Sequence, residues 1–405
     1  MTLGSASLTA AVLSLACVAC SDILDLQPAL TAAPSCTEDA ECRSGEICQY
    51  LQCVSATCQL SQLRCNGLDA ERCSNDGAWT IAEHCTAACA MGACVTPPSC
   101  GAKSQTCAGV SCCSASVVDG GKFDLRYRYA TGDDATESEQ VPRTVRSFIL
   151  DRFEVTWSRF LELAEAYDDR EKTRPKDGAG AHPAFPSSGW KAAWAESLAL
   201  VPDSRRGLQN VLDRARRPSP AESGDLPVRG INWYLAFAFC IWDGGRLPTE
   251  AEWAYAAVGG NDGQRIYPWT PRDRSASILA EDALFSDGET LEDVGPVGTH
   301  PSGEGEFGQD DLAGNVAEWV ADVYQERLEP DCADDGALRL DEHECLQREG
   351  GALRVQRGGS YRDNAEGLRN DARSYGLTDR SDQPIGFRCA RDMPSPAFTT
   401  SNEGD

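Results

Sequence analysis

Fourteen of the 20 cysteines lie between Cys36 and Cys113. A short stretch this rich in cysteine and this sparse in apolar residues cannot bury enough surface to fold on a core alone. Disulfides worth about 2–5 kcal/mol each supply what the core lacks. Turn formers recur along it, at Ser44-Gly45, Asn66-Gly67 and Asn75-Asp76-Gly77. The spacing gives two sub-units: a knot of Cys36, Cys42, Cys48, Cys53 and Cys58, and a segment from Cys65 to Cys94 around Trp79. Cys85 and Cys89 beside His84 offer a rival zinc reading. No pair of CxxC half-sites accompanies them, so disulfides are expected, with connectivity left open.

An oxidising compartment is also what the first residues point to. Leu8 to Ala19 is an uncharged apolar run of signal-peptide length, too short to span a bilayer, so residues 1–20 read as an export signal. Small residues lead to Cys17 and Cys20, and Cys20 followed by Ser-Asp is expected to carry a lipid. The chain then reads as an exported, outer-membrane lipoprotein facing the periplasm or the cell surface, with residues 21–35 as a linker containing Pro28 and Pro34. With 37 Lys and Arg against 63 Asp and Glu, the formal charge is −26. Such a surface repels phosphate backbones and anionic headgroups, which excludes nucleic acid as a partner and leaves the N-terminal lipid as the contact with membrane.

From residue 114 the pattern becomes that of an α+β domain ending near 393, with 394–405 a polar tail. Ser147 to Val155 suits a strand, and Thr156 is placed to cap a helix whose Phe160, Leu163, Ala164 and Tyr167 recur at helical spacing. A short helix is expected around Trp190, Trp194 and Leu198, and another from Asn232 to Trp242. Thr249 and Glu252 have capping-box spacing and begin a third helix that stops at Gly259-Gly260.

GGRLPTEAEWAYAAVGG (244–260), YPW (267–269), DLAGNVAEW (311–319), RVQRGGSY (354–361) and GFRCAR (386–391) follow one another in that order. GGKF (120–123) and EVTW (154–157) precede them. In these motifs residues 114–393 resemble the formylglycine-generating enzyme, or sulfatase-modifying factor, family. The resemblance implies a C-type-lectin-like α+β fold with much irregular loop, held by metal and disulfide. In DLAGNVAEW two carboxylates flank a Gly-Asn turn, a composition suited to one hard cation. The resemblance places structural calcium on the Asp311 and Glu318 side chains and the Gly314 and Val316 carbonyls. The alternative makes Asp311 a turn residue and Glu318 a salt-bridged acid. The resemblance also pairs Cys240 with Cys389, which leaves Cys332 and Cys345 to staple an acidic loop.

The founding activity of the family oxidises a cysteine to formylglycine with oxygen, using two cysteines after GGSY that hold copper(I). Asp363 and Leu368 occupy those two places here. Leucine ligates no metal and a lone aspartate is a poor copper(I) ligand, so no copper is expected. Ala317 replaces the aromatic that usually precedes the Glu of the calcium motif. Iron is not supported either, because His84, His182, His300 and His343 fall in four separate loops. No Ser-His-Asp signature, P-loop or dinucleotide fingerprint is present. Ser360, Tyr361, Asp363 and Arg373 are the cleft candidates, with Arg362, Arg369 and Trp319 beside them. Guanidinium and hydroxyl groups on loops suit recognition of polar ligands and equally suit clamping of the loops themselves. Two functions stay open: an oxygen-dependent protein-modifying enzyme that does not use copper, or a calcium-stabilised lectin-like module that binds a polypeptide or glycan without catalysis.

Overall fold

The computed structural model describes residues 46–49, 52–55, 58, 62–74, 78–100, 106–130, 136–166, 174–194, 224–260, 265–269, 277–288, 293–328, 353–379 and 384–394. Cys17, Cys20, Cys332 and Cys345 lie outside the described residues, as do Tyr167 and Leu198. The chain divides into two compact units. One comprises residues 1–61 and 73–79, and holds an antiparallel pair, Glu46–Gln49 with Gln52–Ser55, and the disulfide Cys58–Cys73.

The other comprises residues 62–72 and 80–405. Its cysteine-rich part is stapled by Cys65–Cys89, Cys85–Cys94, Cys100–Cys113 and Cys107–Cys112. Cys85 and Cys89 are bonded to different partners, so neither offers a thiolate and the zinc reading beside His84 falls. The step in cysteine density at residue 114 is not a step in folding. Ser99 N donates to Asp243 Oδ1 at 2.8 Å, Ser99 Oγ accepts from Arg159 Nε at 3.0 Å, and Ala115 N donates to Ala87 O at 3.1 Å. Residues 80–113 therefore share a packing unit with the domain that follows, because local staples give them no separate core.

The domain is a mixed fold with few helices and much loop. Strands β1 (Ala115–Val118), β2 (Gly121–Ala130), β3 (Thr136–Val145) and β4 (Phe148–Asp151) come first, then helix α1 (Trp157–Ala166). Helices α2 (Trp233–Trp242) and α3 (Glu250–Ala257) follow, then β5 (Ala317–Val323), β6 (Leu353–Arg357), β7 (Ser374–Leu377), β8 (Ile385–Gly386) and β9 (Ala390–Asp392). Three sheets result: β1-β4-β9, the hairpin β2-β3, and β7-β6-β5-β8, in which β5 and β8 run parallel and the other neighbours antiparallel.

The helix starts are those the capping residues dictate. Asn232 Oδ1 accepts from Leu235 N at 2.9 Å, and α2 buries eight of its ten residues, as a helix apolar on every side must. At α3, Thr249 Oγ1 accepts from Glu252 N at 3.0 Å while Glu252 Oε2 accepts from Thr249 N at 2.9 Å. Trp157, Phe160 and Leu163 of α1 pack with α2, Trp319 and Phe387 in one core, and α3 covers a second core with β2 and β4 residues. Between α1 and β9 sits a buried ionic cluster. Arg159 bonds Asp151 at 2.8 Å and Asp243 at 2.6 Å, and Arg391 bonds the same two acids. Burial works against the Asp151 charge, but the two guanidinium groups hold its carboxyl below the usual range.

Asp322, at the end of β5, accepts from Glu250 N at 2.6 Å and so caps α3 from another strand. Burial, reinforced by the Glu250 charge, pushes its carboxyl up to about 7. An unfolded Asp titrates near 3.9. Between about pH 4 and 7 the folded chain therefore holds a proton that the unfolded chain has lost, and stability falls as pH rises through that window. Asp322→Asn keeps an acceptor for Glu250 N and removes the titration. We expect a higher melting temperature at pH 8, converging on the parent protein below pH 4. An unchanged slope between pH 4 and 7 would show that Asp322 is ionised throughout.

Candidate functional site

Residues 310–319 lead into β5 through a turn that needs left-handed backbone at Asp311 (φ 56°), Gly314 (φ 87°) and Asn315 (φ 57°). Asp and Asn tolerate that region, while at Gly314 a Cβ would stand 2.4 Å from Leu284 O, so only glycine fits. Asn315 N donates to Leu284 O and Asn315 O accepts from Tyr361 N, both at 2.9 Å, stitching this turn to the loop after β6.

Glu318 is a salt-bridged acid. Its Oε1 accepts from Arg388 Nη2 at 2.6 Å and Nε at 2.9 Å, and its Oε2 accepts from Arg388 Nε at 2.9 Å and Trp253 Nε1 at 2.8 Å. Each oxygen accepts two hydrogen bonds, so Glu318 takes the salt-bridged role that was the alternative reading of the sequence. Among the described residues no three acidic, His or Cys side chains form a ready cage. The sequence reading missed Glu154. Its Oε1 accepts from Val316 N at 3.0 Å and its Oε2 from Asn315 Nδ2 at 2.7 Å. Burial, then the charges of Asp311 and Glu318, raise the Glu154 carboxyl well above its ordinary value, and burial pushes Asp311 up to about 7. Three buried carboxyls thus share one guanidinium. Glu154 and Asp311 are the two of these acids without an ion pair among the described residues.

The cleft lies on the face of the β7-β6-β5-β8 sheet and encloses about 450 Å³. Trp319, Gln356, Tyr375, Ser360, Arg362 and Asp363 line it, with Ala317 where a larger side chain would fill the space. Trp319 is fixed by its Nε1 donating to Ile231 O at 2.8 Å. Two of the four cleft candidates line this space, Ser360 and Asp363. Asp363 Oδ2 accepts from Ser360 N at 2.8 Å and Ser360 Oγ at 2.7 Å, closing the turn. Tyr361 is fully buried beneath, its hydroxyl accepting from Arg362 Nε at 3.0 Å. Arg373 is elsewhere. Its Nε and Nη2 fork onto Glu250 at 2.6 and 2.9 Å, and its side chain is 1% exposed, so it anchors α3 and faces no ligand. Gln356, also missed by the sequence reading, is 5% exposed. Its Oε1 accepts from Ser374 Oγ at 3.2 Å, and its Nε2 has no acceptor among the described residues.

Residues 102–393 match the family described as the sulfatase-modifying factor enzyme 1-like domain. The chain belongs to this sulfatase-modifying factor family. The chain is similar to the inactive Cα-formylglycine-generating enzyme 2 of Bos taurus, 31% identical over 69% of this chain and 88% of that protein. It is also similar to the formylglycine-generating enzyme of Thermomonospora curvata, 38% identical over 41% of this chain and 55% of that one. Among solved structures, PvdO from Pseudomonas aeruginosa overlays with a TM-score of 0.43 at 22% identity, covering 69% of this chain and 94% of PvdO.

Membership of the sulfatase-modifying factor family makes Asp363 and Leu368 the informative positions. Asp363 closes the Ser360 turn, and Leu368 is buried in an apolar cluster with Tyr267, Ala283 and Ala313. Cys240 and Cys389 are bonded to each other. The described domain therefore presents no thiolate to this cleft. The histidines do not gather either: His84 pairs with Asp69, His182 with Glu252, and His300 contacts Thr299, while His343 lies outside the described residues.

Proposed function

We propose that this protein is a polypeptide-binding member of the sulfatase-modifying factor family that does not carry out copper-dependent cysteine oxidation. The observation that carries the reading is the pair of side chains at the two thiolate positions, one committed to a turn and the other to an apolar cluster. The cleft beside them suits an extended peptide. Gln356 offers a donor without an acceptor, and β7, an edge strand of its sheet, exposes Ser374 and Tyr375 beside it. The similarity to a relative whose name calls it inactive points the same way. With copper(I), oxygen and a cysteine-containing peptide, we expect no aldehyde to be captured by a hydrazide reagent and no competition with a chelator for copper(I). Aldehyde formation at catalytic turnover would overturn the reading.

Calcium belongs to this proposal as a structural ion. Glu154 and Asp311 would hold it with the Gly314 and Val316 carbonyls, and it would offset the buried carboxyl charge that Arg388 leaves uncompensated. At about 100 times its dissociation constant, calcium should add about 2.7 kcal/mol of stability. A melting temperature indifferent to calcium would remove the ion, and a calcium shift that persists in Glu154→Gln would remove Glu154 as its ligand.

A further inference from the structure

A second cleft, of about 1000 Å³, opens between the β2-β3 hairpin, the 182–186 loop and the start of α3, and shares no lining residue with the first. In a chain of net charge −26 one wall of it is basic. Lys122, Arg143 and Arg146 line it, and none of them has an ion-pair partner among the described residues. Burial lowers the Arg143 pKa, and the charges of Asp322 and Glu250 restore only part of the loss. Arg143 Nη1 donates to Pro142 O at 3.0 Å, a neutral acceptor, and a partly desolvated cation without an ion-pair partner is costly and is relieved by an anion.

The acids of the cleft do not cancel this charge. Glu252 is already met by Arg246, at 2.6 and 2.7 Å, and by His182 Nε2 at 3.4 Å, which leaves Asp124 as the other lining acid against three cations, while Asp322 and Glu250, outside the lining, act on Arg143. The helix end adds a donor. Thr249 N, Glu250 N and Glu252 N of the α3 start each have a side-chain acceptor, whereas Ala251 N, at the cleft wall, has none among the described residues. Opposite lies an apolar platform. His182 stacks on Phe185 with ring centroids 5.0 Å apart, and its Nδ1 accepts from Ala184 N at 3.1 Å, which fixes the ring.

We propose that this second cleft binds an acidic polypeptide segment, with its carboxylates on Lys122, Arg143, Arg146 and the Ala251 amide and an apolar side chain against the Phe185 platform. Arginine forks match carboxylates in pairs. A hydroxyl-rich glycan suits the cleft less, because the acceptors are spent: Glu252 on Arg246 and His182, and Thr249 Oγ1 on Glu252 N. This assignment is independent of the reading of the first cleft.

The test is fluorescence anisotropy of the full chain with a labelled peptide of Asp and Glu around one Phe, compared with the same peptide carrying Asn and Gln. The acidic probe should bind at least tenfold more tightly than its amide twin, and more weakly as salt rises. Lys122→Glu with Arg146→Glu should weaken it at least tenfold. The charge-matched Arg174→Glu with Lys176→Glu, at exposed positions outside the cleft, and Asp363→Ala in the first cleft should leave it within twofold. Equal binding of the two probes, or equal loss in the charge-matched control, would overturn the site. A sulfated oligosaccharide binding tenfold more tightly than the acidic peptide would overturn the assignment to polypeptide.

Discussion

Replacing Cys240 and Cys389 together by alanine is expected to cost the domain about 5 kcal/mol, a large share of the 5–15 kcal/mol that holds most domains folded. The bond joins residues 149 apart in sequence, linking the end of α2 to the strand pairing of β9, with Cα atoms 5.4 Å apart. Both cysteines are fully buried. Around Cys389 the backbone stays tied without the bond, because Asp151 N donates to Cys389 O at 3.0 Å and Arg246 N to Ala390 O at 2.9 Å. The native arrangement therefore survives the change, and the effect falls on the unfolded chain, which gains the freedom of a long open loop. Urea denaturation should show a lower midpoint together with a steeper slope, since an uncrosslinked chain exposes more surface. The other disulfides of this unit close loops of 5 to 24 residues and should contribute less per bond. A loss below about 1 kcal/mol would mean that the unfolded chain is restricted by other means.

What the sequence made legible follows the range of the interactions concerned. The starts of α2 and α3 were readable because their determinants, Asn232 and the Thr249–Glu252 box, lie within three residues of the groups they satisfy. The Cys240–Cys389 bond was expected because it travels with two ordered motifs that resemble the family. The roles of Glu154 and Arg373 were not legible, and that of Glu318 only as one of two readings, because each is decided by a distant partner. Arg373 meets Glu250 from 123 residues away, and Arg388 reaches Glu318 across 70. A signal did exist for Glu154 and for Arg388, the partner of Glu318. Glu154 is a single charge in the apolar run FEV, and Arg388 stands between Phe387 and Cys389, so both are charges carried into a core that must find partners there. The cysteine-rich segment misled by composition: its density marks where the chain lacks apolar residues, whereas bonds such as Ser99 to Asp243 decide which unit it joins.

Arg388→Ala is expected to destabilise the domain by about 3–5 kcal/mol in the absence of calcium. Burial alone would lower the Arg388 pKa, but Glu318 raises it above that of a free guanidinium, so the guanidinium stays charged in the fold. Truncation leaves Glu318 buried at 1% exposure beside Glu154 and Asp311, with no cation among them. It also removes the donors that Arg388 Nη1 and Nη2 give to the carbonyls of Asp151, Arg152 and Asp310 at 2.8–3.2 Å, of which Arg152 O keeps Asp310 N. The two losses separate in a double-mutant cycle. Glu318→Gln in the Arg388→Ala background removes the stranded charge and keeps an acceptor for Trp253 Nε1, so it should recover part of the stability, with a coupling of about 0.5–3 kcal/mol. The carbonyl cost remains in both variants. If Glu318→Gln gave the same loss with and without Arg388, the guanidinium would be acting as a carbonyl clamp alone, and the buried charge of this loop would have to be balanced by protons on Glu154 and Asp311 or by the proposed cation.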